Sequence, residues 1–376
     1  MLRTLPRLTQ IVSNLAPALI STRGRESSSK TSKEDVTASQ VSERKRRSNH
    51  DAIYISDPDV ASIVAEELRG DIAAGRLILE ANPGPGILSK QLLNSGVQRL
   101  FLCEPTWSAF YNDVEQIRAE NPDRVELLSE NLVRMASLAR FDLIHGSNRL
   151  GHCFQTINHV SGSDNPKITM VLSVPRARQR RFLLSLLHSY AARSLIFSVS
   201  DVEFLMFLSE DEYSQMFACR RMKARPAPLL FHMFFNHQCL ASVGGEAFRF
   251  NSDRDLMSSK TKKRSVMKLV RLSPSNEFLS RFDAPERVEE FSFFVRQAFT
   301  RGATLLYLNE LIPNAARDVL LKTRWSRKEL THLNVNTKLY SLAPTELLRL
   351  FELLSENPLF PQCPLATAHE QDSRTL

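Results

Sequence analysis

Two glycines, Gly84 and Gly86, stand in "ANPGPGILSK", residues 81–90, between the apolar run Leu77 to Leu79 and a glycine-poor apolar stretch suited to a helix. Glycine allows a tight strand-to-helix turn, and the helix start beyond it presents unpaired N–H groups to a ligand. A second apolar run, "RLFLCE", ends at Glu104, twenty residues after Gly84. A carboxylate at the end of a second strand suits the hydroxyls of a ribose. Glu80 closes the first run, in reach of a ligand ammonium directly or through water. The chemistry that fits these residue types is the holding of a nucleotide-like molecule. A plain structural turn is the alternative reading.

A dinucleotide fingerprint would place a third glycine at residue 89, where Ser89 stands, which weakens a nicotinamide reading. The same geometry serves S-adenosylmethionine, whose amino-acid part lies against such a turn.

The elements that must position these residues follow from periodicity. Strand candidates are Leu77 to Leu79, Leu100 to Cys103, Val125 to Leu128, Phe141 to Ile144, Ile168 to Val174, Ser194 to Val199 and Phe204 to Leu208. They alternate with helical patterns, which predicts an α/β fold, a mostly parallel sheet with helices on both faces. Ahead of the first strand, Asp57 is placed to cap a helix starting at Pro58, with Val60, Ile63, Val64 and Leu68 on one face. Phe231 to Val243 offers a further strand or hairpin. Beyond residue 275, "ERVEEFSFFVRQAF", "IPNAARDVLLK" and "APTELLRLFELL" have helical periodicity, so a small helical domain is expected over 276–376, after an α/β domain over 51–275.

The formal net charge of +8 is unevenly spread: residues 1–50 hold 10 Lys/Arg against 4 Asp/Glu, and the remainder 39 against 37. A nucleic-acid site must therefore be argued from local clusters. The first 25 residues carry Arg3, Arg7, Arg23 and Arg25 among leucines and hydroxyl residues with no carboxylate. That is the make-up of a mitochondrial transit peptide, with a basic tail as the alternative, and 26–50 read as a solvated linker. No apolar run is long enough for a membrane span. The five cysteines are scattered without a Cys-x-x-Cys pair, so neither a disulfide framework nor a zinc knuckle is predicted. His145, His152 and His159 recur every seven residues in a polar, loop-like stretch; without acidic or thiolate partners at ligand spacing they read as solvated rather than as metal ligands.

"ILEANPGPGILSKQLL" resembles the cofactor motif of the rRNA adenine dimethyltransferase family, and "YISDPDVASIV" resembles that family's entry segment. "VEFLMFLSEDEYSQM", "MKLVRLSPSNEF" and "FSFFVRQAFTRGATLL" resemble its later landmarks, so the likeness spans residues 51–355. It points to the mitochondrial transcription factor B branch, specifically the paralogue specialised for initiation. The resemblance implies a class I S-adenosylmethionine-dependent methyltransferase (Rossmann-like) sheet with a C-terminal helical domain. It implies cofactor contacts at Ile53 and Ile55, at Gly84 and Gly86, at Glu104 for the ribose, and at Asn131, where the family usually has an Asp facing the adenine amino group. Asn still accepts a hydrogen bond but carries no charge.

The family's methyl transfer uses an Asn-Leu/Ile-Pro-Tyr/Phe segment that aligns the target amino group and stacks on the flipped base. The matching residues are Ser173, Val174, Pro175 and Arg176, of which only the proline follows the pattern. Efficient adenine dimethylation is therefore not expected. Acid-free basic clusters take prominence instead: Arg176, Arg178, Arg180 and Arg181 at the start of a helix, Lys262, Lys263 and Arg264, and the run "CRRMKAR". Singly these read as solvated faces; together they suit phosphate contacts. The resemblance implies a mitochondrial matrix protein of the nucleoid that helps the single-subunit mitochondrial RNA polymerase, with a DNA-bending factor, to melt and hold promoter DNA. The alternative is an active dimethyltransferase acting on mitochondrial small-subunit rRNA.

Overall fold

The computed structural model describes residues 52–163, 165–217, 225–250, 265–282, 284–300 and 337–356. The chain opens with strand β1 (Ile53–Ile55), helices α1 (Pro58–Glu67) and α2 (Arg69–Ala73), then β2 (Leu77–Ala81) and α3 (Ile87–Asn94). It continues through β3 (Leu100–Cys103), α4 (Tyr111–Glu120), β4 (Val125–Leu128), α5 (Met135–His145) and α6 (Arg149–Ser161). Next come β5 (Lys167–Ser173), α7 (Arg176–Ala191), β6 (Asp201–Ser209), α8 (Glu210–Met216), α9 (Pro226–Phe234), β7 (Phe235–Gly244) and β8 (Phe248–Phe250). β9 (Val266–Pro274), α10 (Asn276–Leu279), α11 (Pro285–Thr300) and α12 (Pro344–Ser355) complete it.

Seven strands form one sheet in the order β4-β3-β2-β5-β6-β9-β7. The five on one side run parallel, and β9 pairs antiparallel with both β6 and β7. Winding goes outward from β2 to β4, then returns to lay β5 on the other flank of β2. Ligands of open α/β sheets bind at such a reversal, beyond the carboxyl ends of the strands. The register sets Ala81 beside Leu172, so the glycine turn and the Ser173–Arg176 segment leave the sheet side by side.

Alternate side chains feed two cores, as strands covered on both faces require. From β6, Val202, Phe204, Met206 and Leu208 enter one cluster, and Leu205 and Phe207 the other. The first cluster also takes in Phe291 and Phe294 of α11 and Leu347 and Phe351 of α12. The described C-terminal helices thus pack into the sheet's own core. Their rings meet edge-on or tilted, with Phe291 and Phe351 centroids 5.4 Å apart.

The cap at Asp57 forms as its position predicts, its Oδ1 accepting from the Asp59 N–H at 2.8 Å, with Pro58 in the first turn. Ile63, expected on the buried face of α1, is 38% exposed, and Ala61 takes the inward position.

Two predicted strands are helical. Phe141 to Ile144 lies in α5, with Leu138, Ala139 and Asp142 buried and Phe141, Leu143 and Ile144 exposed; a run covered on one helical face only has no place in a doubly covered sheet. Ser194 to Val199 contains a 3-10 turn, Leu195–Ser198, and positive φ at Arg193 and Leu195 breaks any extended backbone there. The Phe231 to Val243 stretch divides at Phe235 between α9 and β7. His145, His152 and His159, read as loop residues, are on α5 and α6. Among the described residues no group of three or more His, Cys, Asp or Glu is placed to hold a metal ion, and no helix is long and apolar enough to cross a membrane.

Candidate functional site

The turn after β2 depends on left-handed backbone at Asn82 (φ 58°), Gly84 (φ 59°) and Gly86 (φ 73°), the last being the N-cap of α3. Glycine at 84 and 86 is a matter of space as well as φ: a Cβ on Gly84 would collide with the Tyr54 ring, and one on Gly86 with Ile117. The turn is therefore packed tightly from below by the chain's own side chains.

Glu80 and Glu104 are both buried, at 4% and 0% exposure. Ser89, at the position where a dinucleotide site would have glycine, donates its hydroxyl to Glu80 Oε2 at 2.7 Å. Burial pushes the Glu80 carboxyl up to about 8; the Ser89 bond opposes the rise, and the neighbouring Glu104 charge adds to it. Glu104 is also raised by burial, with bonds from Ser108, the Gly84 N–H and Tyr54 pulling it back. Geometrically, the Gly84 N–H donates to Glu104 Oε2 at 3.1 Å and the Tyr54 hydroxyl reaches Oε1 at 3.5 Å.

Tyr54 is a residue that sequence reasoning missed. β1 pairs antiparallel with β8, and Ile53 and Ile55, expected to contact a cofactor, turn their side chains into the core. The period-2 alternation sends Tyr54 the other way, onto Gly84 and edge-on to Phe110 with centroids 5.0 Å apart. An aromatic residue between two candidate contacts was the available signal.

Asn131 follows β4 and borders a cavity of about 200 Å³ with Pro105, Trp107, Arg134, Phe141 and Arg149. Its Oδ1 and that of Asn82 are buried without a hydrogen-bond partner. Buried acceptors rarely stay unpaired, and an amide oxygen at Asn131 is the complement of an adenine amino group. With the glycine turn and Glu104, the residues present fit an adenosyl cofactor, on condition that Glu104 exchanges its internal donors for ribose hydroxyls.

Ser173 and Val174 are buried at the end of β5, and Pro175 is the N-cap of α7. This segment is locked by Gln179, a second residue the sequence did not reveal. Fully buried, Gln179 donates Nε2 to the Val174 carbonyl at 2.9 Å and accepts from the Ser209 N–H at 3.0 Å and hydroxyl at 2.7 Å. The ends of β5 and β6 are thereby tied together.

The arginines of α7 divide by face. Arg176 pairs with Asp211 and Arg180 donates to Gln215 Oε1 at 3.0 Å, so this i, i+4 pair is turned toward α8. Arg178 and Arg181 are on another face, where they line a shallow groove with Arg134, Ser137 and Ser185. Arg176 and Arg180 are thus not part of one uniform basic patch with the others. Lys262, Lys263 and Arg264 lie outside the described residues.

No family model matches the chain. It is 24% identical over 345 residues to dimethyladenosine transferase 2, mitochondrial, of Bos taurus, covering 86% of this chain and 82% of that protein. Among solved structures, that of the 23S rRNA methyltransferase ErmE is similar with a TM-score of 0.48 and 15% identity, over 80% of this chain and 99% of that one. The strand order, with its antiparallel pair at one edge, is that of a class I S-adenosylmethionine-dependent methyltransferase sheet.

Proposed function

We propose that this chain is a mitochondrial transcription initiation factor on an rRNA adenine dimethyltransferase scaffold, one that helps the single-subunit RNA polymerase melt promoter DNA and hold it open. The observation that carries this reading is the acceptor segment. Where methyl transfer needs an amide and an aromatic ring, the chain has the buried Ser173 and the outward Arg176, whose guanidinium is engaged by Asp211. A short hydroxyl cannot reach as an amide does, and a misplacement of about 1 Å costs roughly a hundredfold in rate. Similarity to a mitochondrial dimethyladenosine transferase supports the scaffold and the compartment.

S-adenosyl-L-methionine is the cofactor of this scaffold, and when bound it supplies an electrophilic methyl group. The glycine turn at Gly84 and Gly86, Glu104 and Asn131 are the residues that would hold it, with Glu80 behind the turn. Promoter opening itself requires no covalent step: preferential binding of unpaired over paired DNA shifts the duplex-to-open equilibrium. A separate DNA-bending factor would help to recruit the complex.

The second reading, an active small-subunit rRNA adenine dimethyltransferase, is favoured by the retained glycine turn and Glu104. Run-off transcription with the matching polymerase and bending factor, on closed and pre-melted templates, tests the first. Stimulation confined to the closed template is expected. Absence of stimulation there, together with methylation of small-subunit rRNA, would replace the first reading by the second.

A further inference from the structure

We infer that Arg249, on β8, is a cofactor-binding residue whose guanidinium holds the carboxylate of the amino-acid part of S-adenosylmethionine at the rim of the glycine turn. The inference rests on the cofactor reading of that turn and adds to it a residue that the turn, Glu104 and Asn131 do not include.

The turn itself lacks what a carboxylate needs. Pro83 and Pro85 have no N–H. The remaining donors of residues 82–86 are used inside the fold: the Asn82 N–H donates to the Cys103 carbonyl at 3.0 Å, the Gly84 N–H to Glu104 Oε2 at 3.1 Å and the Gly86 N–H to the Pro83 carbonyl at 3.2 Å. The side chains packed on the two glycines, Tyr54, Ile117 and Ser89, carry no positive charge. Glu80 and Glu104, buried under the turn, are both acids. They suit the ammonium and the ribose of the ligand and offer its carboxylate nothing.

The pairing of β1 with β8 brings a cation to this place. Tyr54 and Arg249 are directly opposite in the antiparallel register, and residues paired in that way extend from the same face. Ile53, Ile55 and Phe248 take the other face, into the core. Arg249 therefore points the way Tyr54 does, and the Tyr54 ring is the one that lies against Gly84. Outward from Gly84 come the buried Tyr54, the half-buried Phe110 with its ring centroid 5.0 Å from that of Tyr54, and the exposed Arg249, whose guanidinium lies over Phe110 at 5.5 Å from the centroid. Among the described residues no carboxylate engages Arg249. A flat cation resting on a ring keeps its N–H edge free, and that edge matches the two oxygens of a carboxylate.

Decarboxylated S-adenosylmethionine keeps the sulfonium, the ribose and the ammonium and lacks only the carboxylate, so calorimetry of the full chain with both ligands isolates the contact. Arg249→Gln should weaken S-adenosylmethionine roughly 5- to 30-fold, between the effect of an exposed ion pair and that of a charge-assisted hydrogen bond, and should leave the decarboxylated ligand unchanged. Arg249→Lys, which keeps the charge without the planar fork, should lose less. Unchanged affinity for S-adenosylmethionine in Arg249→Gln would overturn the inference and leave the carboxylate to the N–H groups in the first turn of α3. Equal losses for the two ligands would also overturn it, making Arg249 a support of the Phe110 wall. If neither ligand binds the wild-type chain, the cofactor reading falls together with the inference, while promoter opening, which needs no covalent step, is untouched.

Discussion

The hydroxyl of Ser89 donates to Oε2 of Glu80 at 2.7 Å inside the sheet–helix interface, and this buried bond is the main support the protein gives to that carboxylate. It does not suffice to keep Glu80 an ordinary acid, because burial raises its value from 4.5 to about 8. In the folded chain the carboxyl holds its proton over a pH window in which the unfolded chain has released it. Stability from this group is full below the unfolded value and is lost as pH rises through the folded one. Glu80→Gln mimics the protonated form. Its melting temperature should fall less than that of the wild type between pH 5 and pH 8.5 and should exceed it at the upper end, by roughly 2–4 °C per kcal/mol recovered. Parallel melting curves against pH would show that Glu80 is not protonated in the fold.

Tyr54 and Glu104 give a prediction about ligand rather than proton. The ring fills the space over Gly84, while the hydroxyl sits 3.5 Å from Glu104 Oε1, too long for a strong bond. Tyr54→Phe should cost under about 1 kcal/mol of stability and should tighten binding of S-adenosylhomocysteine, read by calorimetry, since one donor competing with the ribose is gone. Gly84→Ala should behave oppositely. Its Cβ strikes the Tyr54 ring at a φ of 59°, and a left-handed alanine alone costs roughly 1–2 kcal/mol. Unaltered affinity in Tyr54→Phe would mean that the hydroxyl and the ribose do not compete.

These two cases mark what could be read from the chain. The glycine turn, the place of Glu104 at a strand end and the strands on either side of the turn were legible because each rests on local chemistry: left-handed turns, apolar runs and period-2 alternation. Ser89 was visible as a departure from a dinucleotide motif, but its bond to Glu80 exists only once α3 folds back on β2. Phe141 to Ile144 and Ser194 to Val199 misled for a related reason, since a short apolar run carries no period of its own and burial decides its form. The arginines of α7 show the same limit. Their clustering was plain, whereas the turning of Arg176 toward Asp211 follows from β6 lying beside β5.

Gln179 carries the third prediction. Its side chain makes three buried bonds that join Val174 to Ser209, and Ser209 in turn accepts from the Glu212 N–H at the start of α8. Gln179→Ala leaves a buried carbonyl and N–H unpaired beside a new void, so a loss of about 2–4 kcal/mol is expected. Urea unfolding measures it. A change below about 1 kcal/mol would mean that water or a shift of the strand ends replaces these bonds.

The last prediction separates the two faces of α7. Arg176 and Asp211 form an exposed pair, at 53% and 67% side-chain exposure, and such pairs are weak enough to yield to a phosphate. If α7 meets nucleic acid, Asp211→Asn should release Arg176 and remove a repelling charge. Single-stranded DNA should then bind roughly 2- to 5-fold more tightly at low salt, with the gain vanishing near 1 M salt, where the screening length falls to about 3 Å. Arg181→Ala should act in the other direction, weakening binding and lowering the slope of log affinity against log salt by about 0.7, the share of one phosphate contact on a single strand. Arg176→Ala, whose charge is partly spent on Asp211, should change that slope by less. Equal slope changes in the two alanine variants would mean that Arg176 leaves Asp211 in the complex and that both faces of α7 touch the strand.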